Sequence, residues 1–122
     1  MDLRTLARLQ ALGRIVVGGA FLLAPTVAGA TWVGRGAAAP GARVLAIAFG
    51  ARDLAIGVGT AWALGGGGRA RPWLLAGAIS DLADVYATTS HRDRLPAAAV
   101  AGAGALGATS TLAGFYLQAK LD

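Results

Sequence analysis

Long stretches without a single charged residue are the feature that most restricts what this chain can fold into. They cover Ile15–Gly34, Leu54–Gly68 and Leu95–Ala119. A run of about 18 or more uncharged, mostly apolar residues is typical of a helix that crosses a membrane. Charged residues make up 14% of the chain, against about 25% in soluble domains. The sequence therefore predicts a single integral membrane domain over its 122 residues.

Prolines and glycines divide the chain into four predicted spans, at residues 3–24, 42–64, 72–90 and 95–120. Pro25 ends the first span because proline cannot continue the helical hydrogen-bond ladder, and Gly65–Gly68 end the second. Residues 25–41, with two prolines, suit an irregular connection at the membrane surface. Short connections place neighbouring helices antiparallel. We expect an all-α, four-helix up-down bundle with both termini on one side.

The basic residues of the chain indicate membrane anchoring and give no sign of nucleic-acid binding. The net charge is +5, but the charges lie in pairs at segment ends, as cationic anchors do at lipid headgroups. The terminal side would hold Arg4, Arg8, Arg69, Arg71 and Lys120, and the other side Arg35, Arg43, Arg92 and Arg94. Five cationic residues against four favour cytoplasmic termini, with lipid as the surrounding partner.

The sequence gives weaker support to two other hypotheses, a cleaved signal peptide and a metal or haem site. Ala28-Gly29-Ala30 fits a signal-peptide cleavage site after the first apolar segment, but its removal would leave an odd three spans. A metal or haem site would need more histidine or cysteine than one His91 and no cysteine. We expect neither a metal nor a cofactor.

Five charged residues nevertheless lie near the middle of the predicted spans. They are Arg14 in the first, Arg52 and Asp53 in the second, and Asp81 and Asp84 in the third. Each costs roughly 2.5–3.5 kcal/mol at the centre of a membrane helix, or about 12–18 kcal/mol together if all are unpaired. We therefore expect these side chains to face inward and to pair with one another.

Small residues at helical spacing accompany these charges and predict close helix packing. The four predicted stripes are Ala7, Ala11, Arg14 and Gly18; Ala46, Gly50, Asp53, Gly57 and Thr60; Gly77, Asp81, Asp84 and Thr88; and Ala98, Gly102, Ala105 and Thr109. Arg52 is about 100° from Asp53 around the helix, so it is expected to reach an adjacent helix rather than to pair with Asp53.

The charged cluster has a structural and a functional interpretation. It can be an ion network that specifies the bundle. Alternatively, three carboxylates against two guanidinium groups leave one surplus negative charge, so that Asp81 or Asp84 is expected to hold a proton near neutral pH. A protonated acid beside an ionised one is an arrangement used for acid–base chemistry.

Three functions follow from these interpretations. The first is binding of a small lipophilic ligand or of a partner helix, such as one from a homo-oligomer. The second is a membrane enzyme of the isomerase or epoxide-opening type, with Asp81 or Asp84 as acid, Asp53 as base or charge stabiliser, and Arg14 and Arg52 as groups that set the pKa values and clamp anions. The third is proton-coupled transport.

Two aromatic residues complete the predicted site. Tyr86, one turn beyond the aspartates, is expected to donate a hydrogen bond into the polar centre. Trp62 is expected to lie in the interfacial belt and to roof a cavity.

The chain resembles a family of small four-helix bacterial membrane proteins close to the DoxX-like group. The resemblance rests on Arg14, Gly18 or Gly19 and Pro25 in the first segment, on "GARDLAIG" in the second and on "SDLAD" in the third. It implies a four-span fold in a bacterial inner membrane and no particular activity. The abundance of Ala, Gly and Arg beside a single Lys indicates a high-GC genome, such as an actinobacterial one.

Overall fold

The computed structural model describes all 122 residues and is entirely helical, with five α-helices. They are α1 (Leu3–Leu23), α2 (Pro25–Val33), α3 (Pro40–Trp62), α4 (Arg71–Ser90) and α5 (Ala97–Lys120). Short 3₁₀ turns follow α2 and α4, and a wider turn over Ala63–Gly67 follows α3. The bounds of the four long helices lie within two residues of those predicted from the sequence.

Local chemistry explains where these helices begin. The carboxylate of Asp2 caps α1 by accepting a hydrogen bond of 2.8 Å from the backbone N–H of Thr5. This hydrogen bond holds the pKa of Asp2 below its usual range. Pro25, Pro40 and Pro72 each lie in the first turn of a helix, where the missing N–H has no intrahelical partner to lose.

The segment between the first two long helices is not the irregular connection that we predicted. Pro25 breaks α1 but starts α2, and Gly29 lies within the new helix close to Ala37. The helix ends at Gly34, whose φ of +68° is a conformation that glycine adopts readily. The glycines of this segment therefore have different roles, one in packing and one in chain reversal.

One end of the molecule brings together parts of all four long helices. A buried apolar cluster there contains residues from the start of α1 and α4, from the turn after α3 and from the end of α5. Its members are Ala7, Ala63, Leu64, Ala70, Leu74 and Leu117. Nearby, the backbone N–H of Arg71 donates to the carboxylate of Asp122 over 2.8 Å. The long helices thus alternate in direction, and both chain termini lie at this end.

Glycines allow α1 and α3 to pack with their backbones almost in contact. A Cβ atom on Gly18 would lie 2.5 Å from the backbone nitrogen of Leu54, and one on Gly57 would lie 2.8 Å from the carbonyl oxygen of Ala11. Both glycines belong to the predicted stripes. Small residues thus bring α1 and α3 close together at the level where Arg14 and Asp53 face each other.

The stripe predicted for the last helix is wrong. Ala98, Gly102, Ala105 and Thr109 are exposed. The face of α5 that packs on α4 instead carries Gly107, Thr111 and Gly114, where a Cβ on Gly114 would lie 3.0 Å from that of Ala78. Alanine and glycine occur all around α5, so small residues did not single out one face.

The outer surface of the molecule is apolar, while its centre is polar. Exposed large apolar residues occur on all four long helices, among them Leu12, Val16, Leu45, Val58, Ile79, Leu82, Leu106 and Leu112. The helices α1 and α5, and α3 with its following turn, are long and apolar enough to cross a membrane. Helix α4 is not among them.

Candidate functional site

The five charged residues from the middle of the helices meet in one place. Arg14 is 7% exposed, and its Nη1 donates to Oδ1 of Asp53 at 3.1 Å. Its Nη2 donates to Oδ2 of Asp81. A single guanidinium from α1 therefore holds carboxylates from α3 and α4, and its planar fork of donors suits such double pairing.

Arg52 makes the second set of ion pairs. Its Nη2 lies 2.7 Å from Oδ2 of Asp84 and 3.3 Å from Oδ1 of Asp53. Arg52 thus reaches an adjacent helix as expected, at Asp84, but the expectation that it would not pair with its neighbour Asp53 is wrong. The Cζ atom of Arg52 also lies 4.7 Å from the ring centre of Phe49, a cation–π distance.

Helix α5 joins this cluster through uncharged side chains. The hydroxyl of Ser110 donates to Oδ2 of Asp81 at 2.6 Å. Gln10, one turn before Arg14, donates from Nε2 to the hydroxyl of Ser110 at 3.0 Å and to its carbonyl oxygen at 2.9 Å. We call the seven linked side chains the polar network: Gln10, Arg14, Arg52, Asp53, Asp81, Asp84 and Ser110.

A cavity of about 720 Å³ opens beside the polar network, between α1, α4 and α5. Its polar lining includes Arg14 and all three network aspartates, and its apolar lining includes Leu6, Leu9, Val17, Ala103 and Leu106. Exposed Leu9 and Leu106 border it. Helices α1 and α5 meet near the chain termini and are further apart towards their other ends, where they leave this space. The cavity therefore faces the apolar outer surface.

A second cavity of about 430 Å³ lies between α2 and α3. Phe21, Trp32 and Phe49 line both cavities and form the wall that they share. Their rings are in contact, with centres 4.6 Å apart for Phe21 and Phe49 and 5.0 Å apart for Trp32 and Phe49. The indole N–H of Trp32 donates to the hydroxyl of Thr88 at 2.9 Å and ties α2 to α4.

The other two predicted site residues lie away from the polar network. The side chain of Tyr86 is 74% exposed and lines neither cavity, so it is not placed to donate a hydrogen bond into the centre. Trp62 is 61% exposed and packs on Gly67 in the turn after α3 instead of covering a cavity. Tyr86 is two residues from Asp84, which directs it to a different face of α4.

Three residues of the site, Gln10, Ser110 and Trp32, were not predicted from the sequence to belong to it. Gln10 could have been found, since it lies four residues before Arg14 on the same helix face. Ser110 gives no specific signal, because hydroxyl side chains in membrane helices commonly form hydrogen bonds between helices. Trp32 gives no signal of a cavity wall, because tryptophan is common at membrane interfaces.

Comparisons with known proteins found no matching family model, no matching curated protein and no matching solved structure. The resemblance to the DoxX-like group therefore stays a prediction.

Proposed function

We propose that this protein is a four-span integral membrane protein that binds a small lipophilic molecule in the cavity between α1, α4 and α5. Three helices have the length and composition of membrane spans. The fourth, α4, has Asp81 and Asp84 paired with arginines, and it exposes Ile79 and Leu82 on the outside. Pairing hides the charges that lower its hydropathy, so α4 is suited to lie among the other spans.

The observation that carries the proposal is a cavity with apolar walls and a polar floor. Its volume of about 720 Å³ lies within the range of about 300–1,000 Å³ that is usual for small-molecule sites. The polar network supplies a few fixed polar groups of the kind that orient a ligand. The border at Leu9 and Leu106 would admit a molecule directly from the lipid.

Filling the cavity tests this function. Glycines 102 and 104 both have open space where a Cβ would be, but only Gly102 lines the cavity. We expect Gly102→Phe to occupy the binding space and Gly104→Phe to leave it open. Mass spectrometry of organic extracts from the purified proteins should show a small molecule with the native chain and with Gly104→Phe that is lost with Gly102→Phe. Identical extracts from all three would contradict the proposal.

A partner helix is the competing occupant of the same space. It would cover α1 and α5 together and would make the protein a stable oligomer in detergent. An oligomer that dissociates in Gly102→Phe, with no extracted small molecule, would favour this occupant.

Acid catalysis on the bound molecule is a second candidate function, favoured by the presence of Asp81 and Asp84 on the same cavity. In this role one of them would donate a proton to an apolar substrate, Asp53 would stabilise the developing positive charge, and Arg14 and Arg52 would hold the carboxylates in place. Once the extracted molecule is known, Asp84→Asn should fail to convert it even at a concentration that saturates binding. Unchanged conversion by Asp84→Asn and by Asp81→Asn would exclude this role.

A further inference from the structure

We propose that the ligand of this cavity is a lipophilic cation, with an apolar body and a single protonated amine at one end. This inference rests on the proposed ligand site and names the chemical class that it takes. Three independent features of the cavity lead to it: the balance of charge, the carboxylate oxygens left without donors, and the apolar walls.

The charge of the cavity lining is negative. Asp53, Asp81 and Asp84 all line the cavity, whereas of the two network arginines only Arg14 does so. Arg52 lines the neighbouring cavity and pairs with the carboxylates from that side. Over the whole network, three carboxylates face two guanidinium groups. Since an uncompensated charge away from water is strongly unfavourable, a bound cation would balance this surplus.

Two carboxylate oxygens remain available to a ligand. Asp53 uses Oδ1 for both of its arginine contacts, and Asp81 uses Oδ2 for Arg14 and Ser110. Oδ2 of Asp53 and Oδ1 of Asp81 receive no donor from the protein, although the Asp53 side chain is only 8% exposed. Both carboxylates bond to the same guanidinium, which keeps them together. An ammonium group has three donors and no acceptor, and so it complements these two free carboxylate oxygens.

Other head groups fit this arrangement less well. A carboxylate or phosphate would bring a second negative charge beside the network aspartates. A hydroxyl would donate to one free oxygen but would leave the surplus charge without a partner. The rest of the lining is mainly apolar, from leucine, valine and alanine side chains on α1 and α5 and from the aromatic wall, with the uncharged Gln10, Thr31, Thr109 and Ser110 among them. The remainder of the ligand should therefore be mainly apolar.

The chain provides its own reporter for an experiment. Trp32 lines the cavity, while Trp62 and Trp73 do not. In a Trp62→Phe, Trp73→Phe background, fluorescence from Trp32 should be quenched by a bromine atom on a bound alkyl chain. We would titrate 11-bromoundecylamine, 11-bromoundecanol and 11-bromoundecanoate, which differ only in the head group. Quenching that persists in Gly102→Phe measures partition into detergent and is subtracted.

We expect the amine to quench at a concentration on the order of tenfold lower than the alcohol, because hydrogen bonds to charged groups are stronger than neutral ones. The undecanoate should bind worst. Asp81→Asn makes the network neutral, with two carboxylates against two guanidiniums, and should abolish the preference for the amine while alcohol binding remains. Asp93→Asn removes an exposed carboxylate in the turn before α5 and should keep the preference for the amine.

Failures of the two proposals can be told apart. Equal saturable binding of amine and alcohol would overturn the inference of a cationic ligand and leave the lipophilic site standing. No saturable quenching by any probe would overturn both. If Asp81→Asn does not fold, Asp84→Asn removes the same charge from the edge of the network and must also lose the preference. An amine preference that survives both variants would contradict the assignment to the aspartates.

Discussion

At the residue scale, one arginine does more than any other side chain to hold the buried charges. Arg14 is the sole guanidinium partner of Asp81 and one of two partners of Asp53. Removing one partner of a buried ion pair leaves an uncompensated charge, which is far more destabilising than losing an exposed pair. The polar network should therefore depend on Arg14 for its stability.

We predict that Arg14→Gln lowers the free energy of unfolding by about 3–5 kcal/mol. Arg8→Gln is the matched control, since Arg8 is exposed on the same helix and makes no side-chain hydrogen bond or ion pair; it should change stability by less than about 0.5 kcal/mol. Reversible unfolding in mixed micelles, followed by helical circular dichroism, measures both. Equal stability of the two variants would mean that the network does not hold the helices together.

At the scale of a helix pair, α1 and α3 depend on glycine for their distance. Gly18 faces the backbone of Leu54 and Gly50, whereas its neighbour Gly19 has open space in place of a Cβ. The two positions offer the same chemical change in two surroundings.

Gly18→Ala should destabilise the protein by about 1–3 kcal/mol, because the added methyl group forces the backbones of α1 and α3 apart. Gly19→Ala should be neutral or stabilising by up to about 1 kcal/mol, since alanine is the better helix former. The same unfolding assay compares them. A Gly18→Ala protein as stable as Gly19→Ala would refute the close packing of α1 on α3.

At the scale of the whole molecule, the proposed membrane topology depends on whether α4 is a span. If α4 crosses, the turn before it lies on the side of the termini and the turn after it lies on the opposite side. If α4 lies along the membrane surface, both turns share one side. The chain has no cysteine, so single introduced thiols can decide between these topologies.

We predict that Arg69→Cys and Lys120→Cys react with a membrane-impermeant maleimide from the same side of sealed vesicles, and that Asp93→Cys reacts from the other side. Thiols at 69 and 93 that react from the same side would contradict four crossings. Labelling after the vesicles are opened with detergent controls for thiols that are simply unreactive.

The sequence alone determined the helical segments and the level of the charges along them. Long uncharged runs predicted the four long helices, because such segments partition into lipid. Prolines and glycines predicted where these helices end, because they control local backbone geometry. The cost of unpaired charge in an apolar setting predicted that Arg14, Asp53 and Asp81 meet. Those arguments concern single segments and single groups, which a sequence shows in full.

The tertiary structure decided which faces pack and what space remains between them. Small residues surround α5 on every side, so its buried face at Gly107 and Gly114 could not be distinguished from the exposed one at Gly102. The cavity, the shared wall at Trp32 and the outward direction of Tyr86 depend on how far helices separate along their length. Such distances result from the packing of side chains from several segments at once, and no single segment contains them.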